Sequence, residues 1–222
     1  MNIRMLAAAS AAFGILAAAS AASAAVTISD VEEGNLFGAL KSGEGSIIYD
    51  FDAIKNVNTD YVGTVLQGPQ TGTTSASPPY GGSQTGDKTK YASVQAGETG
   101  TFSTLPGFYL STFSFYLGSP DTYNTLTFNF LGGGSQTFNG TDIWGGSPPG
   151  NGNRDMGFRV YYDFGGAKVT SVTFGTGNTN AFEFDGIGGN VAAIPEPGTW
   201  ALMIMGFGGA GAMIRRRKTA LA

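Results

Sequence analysis

At 222 residues the chain is long enough for one domain of ordinary size plus targeting segments. It contains neither histidine nor cysteine, which removes the usual general base of a Ser-His-Asp hydrolase, a thiolate nucleophile, any disulfide staple and the commonest nitrogen ligand for zinc. The net charge of −4 is unevenly spread: Arg4 lies near the start, Arg215, Arg216, Arg217 and Lys218 near the end, and the stretch between carries 7 basic against 16 acidic residues, a net of −9 that would repel a nucleic-acid backbone.

Residues 1–25 have the layout of a secretory signal peptide, with Arg4 in a short basic region, an apolar run from about Met5 to Leu16 and small residues up to Ala25. Ala22-Ser23-Ala24 and Ser23-Ala24-Ala25 both suit a signal peptidase, whose pocket admits small side chains. The expected partners of this segment are the Sec translocon and signal peptidase, and the mature chain would begin near Val26, outside the cytoplasm.

The body, residues 26–192, is expected to be all-β, because 36 glycines, 12% aromatic and only 13% charged residues suit short strands and glycine turns better than helices. Strands are predicted at Val26 to Ser29, Ser46 to Asp52, Asp60 to Leu66, Lys90 to Gln95 and Gly100 to Ser103. Alternation of apolar and polar residues then marks Tyr109 to Leu117, Leu126 to Phe130, Phe158 to Phe164, Val172 to Phe174 and Phe182 to Phe184; a period of two gives each strand one buried face. About ten such strands in one domain point to an antiparallel two-sheet sandwich, jelly-roll-like, with a closed barrel as the competitor. Gln67 to Asp87 and Gly132 to Asn153 break the alternation and are read as long loops.

Two carboxylate pairs stand at i, i+2 spacing, Asp50 with Asp52 and Glu183 with Asp185, each around a phenylalanine. On a strand such pairs share one face about 6.5 to 7 Å apart, which permits glycosidase geometry of roughly 5 to 9.5 Å. The plain reading keeps the phenylalanine in the core and the carboxylates in solvent; a calcium site completed by carbonyls of a glycine turn is the alternative, and catalysis a third. Asp121, beside Tyr123 and Asn124, is either a turn residue after Pro120 or part of a polar rim. Trp144, in a glycine-rich loop, is either a stacking platform for a sugar ring or folded back onto the core. No firm metal or cofactor follows from any of these.

After an extended linker at 193–199, residues 200–214 carry no charge and are expected to form a short membrane helix, with Trp200 at the outer interface and 215–222 as a basic cytoplasmic tail led by Arg215 to Lys218. Pro195-Glu196-Pro197, the Trp200-Ala201 pair, the glycine-rich apolar run and the terminal arginine cluster together resemble the PEP-CTERM sorting tail in its PEPxxWA form. The resemblance implies recognition by an exosortase, a membrane enzyme with its own catalytic cysteine, then removal of the tail and transfer to the cell surface. The extension Thr219 to Ala222 departs from the family habit of stopping soon after the arginines.

A weaker resemblance lies in the body. Phe115 to Leu126, which includes Gly118-Ser119-Pro120-Asp121-Thr122-Tyr123-Asn124, and Asn180 to Ile187, which includes Phe182-Glu183-Phe184-Asp185-Gly186, are similar to blocks of a group of exosortase-dependent surface proteins. Here Gly186 replaces the usual asparagine. Three functions remain: a non-enzymatic surface or matrix protein, exopolysaccharide-associated and transiently anchored in the inner membrane with its body in the periplasm; a carbohydrate- or ice-binding module; and a glycan hydrolase using a carboxylate pair. Against ice, the chain has no regular Thr-x-Thr array.

Overall fold

The computed structural model describes residues 25–34, 38–79 and 83–219. The proposed signal peptide, apart from Ala25, lies outside the described residues, as do 220–222 of the basic tail. In chain order the strands are β1 (Thr27–Glu33), β2 (Ser46–Tyr49), β3 (Thr59–Val62), β4 (Val65–Gln67), β5 (Lys90–Val94), β6 (Thr99–Thr104), β7 (Phe108–Leu117), β8 (Thr125–Phe130), β9 (Ser135–Asn139), β10 (Phe158–Asp163), β11 (Val169–Gly175) and β12 (Phe182–Ala193). One helix, α1 (Pro197–Thr219), follows.

All the strand pairs are antiparallel and belong to one 12-stranded hydrogen-bonded network. One block runs β1-β10-β7-β12, with β5 and β2 both on the far side of β12 and β4 beyond β5; the other runs β9-β8-β11-β6-β3. The blocks are continuous through the pair Val169 and Leu110. The expected division into two sheets is therefore corrected to one curled sheet.

Two further links draw the blocks together at their margins. β3 and β4, at opposite ends of the strand path, are separated in the chain only by Gly63 and Thr64, and Ser93 N–H donates to the Thr64 carbonyl at 3.1 Å. On the other side the Gln136 amide of β9 both donates to and accepts from the Val26 backbone, each at 2.8 Å.

The inner faces of the two blocks enclose an aromatic core of Phe102, Phe113, Phe115, Phe128, Phe174, Phe182 and Phe184, with Val160, Tyr162 and Val172. Phe174 and Phe184 come from different blocks and stack with ring centroids 3.7 Å apart. Burying each such ring contributes roughly 1.5 to 3 kcal/mol. The alternation read in the sequence is the cause: the same parity that places Phe113 and Phe115 inward places Ser114 and Tyr116 on the outer face.

That outer face is not solvated. Segment 68–79, with Ala76 and Ser77 buried, straps across it; the Tyr91 hydroxyl donates to the Ser75 carbonyl at 2.6 Å and that of Tyr116 to the Pro79 carbonyl at 2.7 Å. The central strands β7, β10 and β12 are thus buried on both faces over much of their length.

β1 and β11 are longer than predicted from the sequence, and sequence and structure differ further at four elements. Ser46 to Asp52 is a strand only to Tyr49, because the Asp50 Oδ1 accepts from the N–H groups of Asp52, Ala53 and Ile54 at 2.7 to 3.0 Å and turns the chain, with Phe51 at φ 63°. Asp60 to Leu66 is split at Gly63. β9 forms inside the stretch read as a loop. β12 continues nine residues past Phe184 to Ala193.

Candidate functional site

Four chain segments converge on a cleft of about 230 Å³. Thr73 and Ala76 come from the strap, Ser119, Asp121 and Tyr123 from the β7–β8 connection, Gly152 and Arg154 from the loop before β10, and Asn180, Ala181 and Glu183 from the start of β12. Both stretches that broke the strand alternation contribute to its wall. So do both body segments quoted above, 115–126 and 180–187, which are joined by the Gly118 N–H donating to the Glu183 carbonyl at 2.9 Å and the Tyr123 hydroxyl donating to the Asn180 carbonyl at 2.7 Å.

Local chemistry fixes these side chains. Pro120 bends the chain after β7, and the Ser119 hydroxyl donates to Asp121 Oδ2 at 3.2 Å. Arg154 anchors the opposite rim by donating to the Thr71 and Gly72 carbonyls at 3.3 and 3.0 Å. Gly140 is required behind the turn, since a Cβ there would collide with the Asp121 carbonyl oxygen. Glu183 sits on β12 with its residue only 4% exposed, and Asp121 is 5% exposed.

Burial raises the pKa of both carboxyls. Glu183 is pushed up to about 8, first by desolvation and then by the charge of Asp121, with Arg154 opposing; Asp121 is raised by desolvation, with the neighbouring Tyr123 hydroxyl and the hydrogen bond from Ser119 opposing. The Glu183 carboxyl thus holds a proton at neutral pH and can both donate and accept hydrogen bonds.

The sequence pairings are rearranged. Glu183 and Asp185, at i, i+2 on one face of β12, are both buried rather than solvent-exposed, and Glu183 faces Asp121 in the cleft. Asp185 is fully buried under the strap, accepts the Gly186 N–H at 2.6 Å, and has its pKa raised by desolvation and by the charges of Asp87, Asp50 and Asp52. Arg159, buried in the same layer, donates to the Ser114 hydroxyl at 3.2 Å and is lowered to about 10 by burial.

Asp50 caps its turn and Asp52 accepts the Lys90 N–H at 2.9 Å, so this pair shares no strand face. Trp144 is half-buried and lies edge-on to Phe158, ring centroids 4.6 Å apart. Among the described residues no group of three or more Asp, Glu, His or Cys side chains is placed to hold a metal ion. Arg154 and Thr73 escaped the sequence reading because each lies in an aperiodic stretch far along the chain from Asp121.

The second site is the tail. β12 ends at Ala193, Ile194 N–H donates to the Gly107 carbonyl at 2.8 Å, and Pro195 and Glu196 are exposed. α1 begins at Pro197, so the predicted linker over 193–199 is shorter than expected: a proline in the first helical turn sacrifices no hydrogen bond. A helix covers Trp200 to Ile214, but the membrane-crossing character expected of it is not shown, and Arg215, Arg216, Arg217 and Lys218 continue it. Ala201, Leu202, Ile204 and Phe207 are exposed on it. Among the described residues no helix is long and apolar enough to cross a membrane.

Neither a curated protein nor a solved structure matches the chain. A family model described as the PEP-CTERM protein-sorting motif matches residues 193–218, which contain Pro195-Glu196-Pro197, Trp200-Ala201 and the basic cluster. The chain therefore carries the sorting tail of PEP-CTERM, exosortase-dependent proteins and is exported and sorted toward the cell surface.

Proposed function

We propose that the body is a non-enzymatic component of the cell surface or extracellular matrix, associated with exopolysaccharide, and that the tail is a temporary inner-membrane anchor which the exosortase removes. On this reading the Sec translocon and signal peptidase export the chain and remove residues 1–25. The body then stands in the periplasm, while Arg215 to Lys218 hold the end of the tail at the cytoplasmic face.

The observation that carries this reading is the placement of the motif. Pro195 and Glu196 occupy an exposed, non-helical stretch between the last strand, which is pinned to the body at Ile194, and the helix that starts at Pro197. A processing enzyme needs such an accessible segment, and prolines at its boundary keep it out of both sheet and helix interior.

The test is the mass of the C-terminal peptide from chain recovered in the surface fraction. A peptide that ends upstream of Ala222, within or near 195–201, is expected. Surface protein that retains an intact tail through Ala222 refutes processing.

A further inference from the structure

We propose that the cleft between the strap and the start of β12 binds one saccharide residue of an extracellular glycan, with Asp121 and Glu183 as hydrogen-bonding partners of its hydroxyls and Arg154 and Tyr123 at the rim. The assignment rests on the surface-protein reading and names a ligand class and a site for its body.

Three observations carry it. The first is that Glu183 is spent on nothing else. Its residue is 96% buried, it lines the cleft, and its carboxyl meets only its own backbone N–H, with no other hydrogen bond to it among the described residues. Its carboxyl oxygens are not among the solvent-excluded, partnerless side-chain atoms of the described residues, so they open into the cleft, where a partner must come from outside the chain. A hydroxyl of a bound ligand is such a partner.

The second is the chemistry of the wall. It offers hydroxyls at Thr73, Ser119 and Tyr123, an amide at Asn180, two carboxyls and one guanidinium, with only small apolar groups at Ala76 and Ala181. That mixture of donors and acceptors fits a neutral, hydroxyl-rich ring better than an apolar molecule. A cation is a poorer fit, because Arg154 shares the wall and the Glu183 carboxyl keeps its proton at neutral pH. At about 230 Å³ the cleft is smaller than the roughly 300 to 1,000 Å³ of sites for drug-sized molecules, which suits one ring of a longer chain.

The third is position. β12 pairs Phe184 with Leu117 at the cleft end and Ala193 with Phe108 at the tail end. Ten residues separate Glu183 from Ala193, about 30 Å at strand rise. The cleft therefore opens at the end of the strand opposite to the point where the tail leaves, where a body held at a membrane would meet polymer outside.

The experiment uses the full-length chain in a zwitterionic detergent free of sugar headgroups. It is applied to printed oligosaccharides of neutral hexoses, N-acetylhexosamines and hexuronates, and the strongest hit is titrated by calorimetry. Saccharide binding is expected, weakened at least tenfold in Glu183→Leu and in Asp121→Ala. Glu183→Gln, which keeps a donor and an acceptor, should bind within about threefold of the parent chain, as should Lys168→Gln at the tail end of the fold, next to Val169, which pairs with Leu110. Unchanged thermal melting identifies the variants that remain folded.

Absence of saccharide binding, or binding that survives both Glu183→Leu and Asp121→Ala in folded protein, overturns the proposal. So does a calorimetric isotherm with calcium alone that Glu183→Gln abolishes. Shortening of the bound oligosaccharide would support the cleft and overturn the non-enzymatic reading. The C-terminal mass tests the sorting reading separately, so failure of one is distinguishable from failure of the other.

Discussion

Glu183 shows how one residue's surroundings change its chemistry. In the unfolded chain it releases its proton near pH 4.5, whereas in the fold it keeps it to about pH 8 because burial and the charge of Asp121 both penalise ionisation. The folded state consequently binds more protons between these values, and stability falls as pH rises from about 4.5 to 8, by at most roughly 5 kcal/mol for a shift of this size. Asp121, Asp185 and Asp87 are also raised and act in the same direction. We expect Glu183→Gln to melt at the same temperature as the parent at pH 5 and several degrees above it at pH 8.5. Melting curves across pH 5 to 9 check this; a parent chain whose stability rises through the window refutes the assignment. The i, i+2 spacing of Glu183 and Asp185 was visible in the sequence, but their burial was not, because it depends on a strap about 100 residues away that covers the outer face.

At the scale of elements, β12 is the strand that organises both sites, and its glycines are what disguised it. Gly186 at φ 53° begins a register shift against β7 between Asp185 and Gly188, so that Ile187 turns inward although Phe184 does so at the opposite parity. Strict alternation therefore ends at Asp185, and the remaining Gly-Ile-Gly-Gly-Asn looks like a turn. Gly189 is close-packed at φ 157°, where a Cβ would lie 2.5 Å from the Thr112 carbonyl oxygen. Gly189→Ala should destabilise the body by about 2 kcal/mol or more, because backbone rather than a flexible side chain must yield. Urea unfolding measures this; a loss below about 0.5 kcal/mol would show that β12 and β7 do not approach so closely. β9 was missed for a different reason. As an edge strand paired only with β8 it needs a single inward residue, Phe138, and one apolar residue makes no periodic signal.

At the scale of the molecule, the body and the tail are energetically separate in the described residues. Leu202, Met203, Ile204, Met205, Phe207 and Met213 of α1 are all exposed, while the aromatic core is complete without them. Removal of 197–222 is therefore expected to leave the melting temperature of the body within about 2 °C, since little apolar surface buried in the fold is lost. Calorimetry of the two forms decides it, and a drop of 5 °C or more would mean that the helix contributes to the body.

The all-β class, most of the strands and the sorting tail follow from the sequence by itself, because each rests on local order: side-chain parity along a strand, or a motif whose parts are neighbours in the chain. The curled single sheet, the burial of Glu183 and Asp185 and the cleft with Asp121 were decided only by tertiary structure. They arise where segments about 30 to 110 residues apart meet, and what they do to a carboxyl depends on which groups exclude its water, a property no local pattern records.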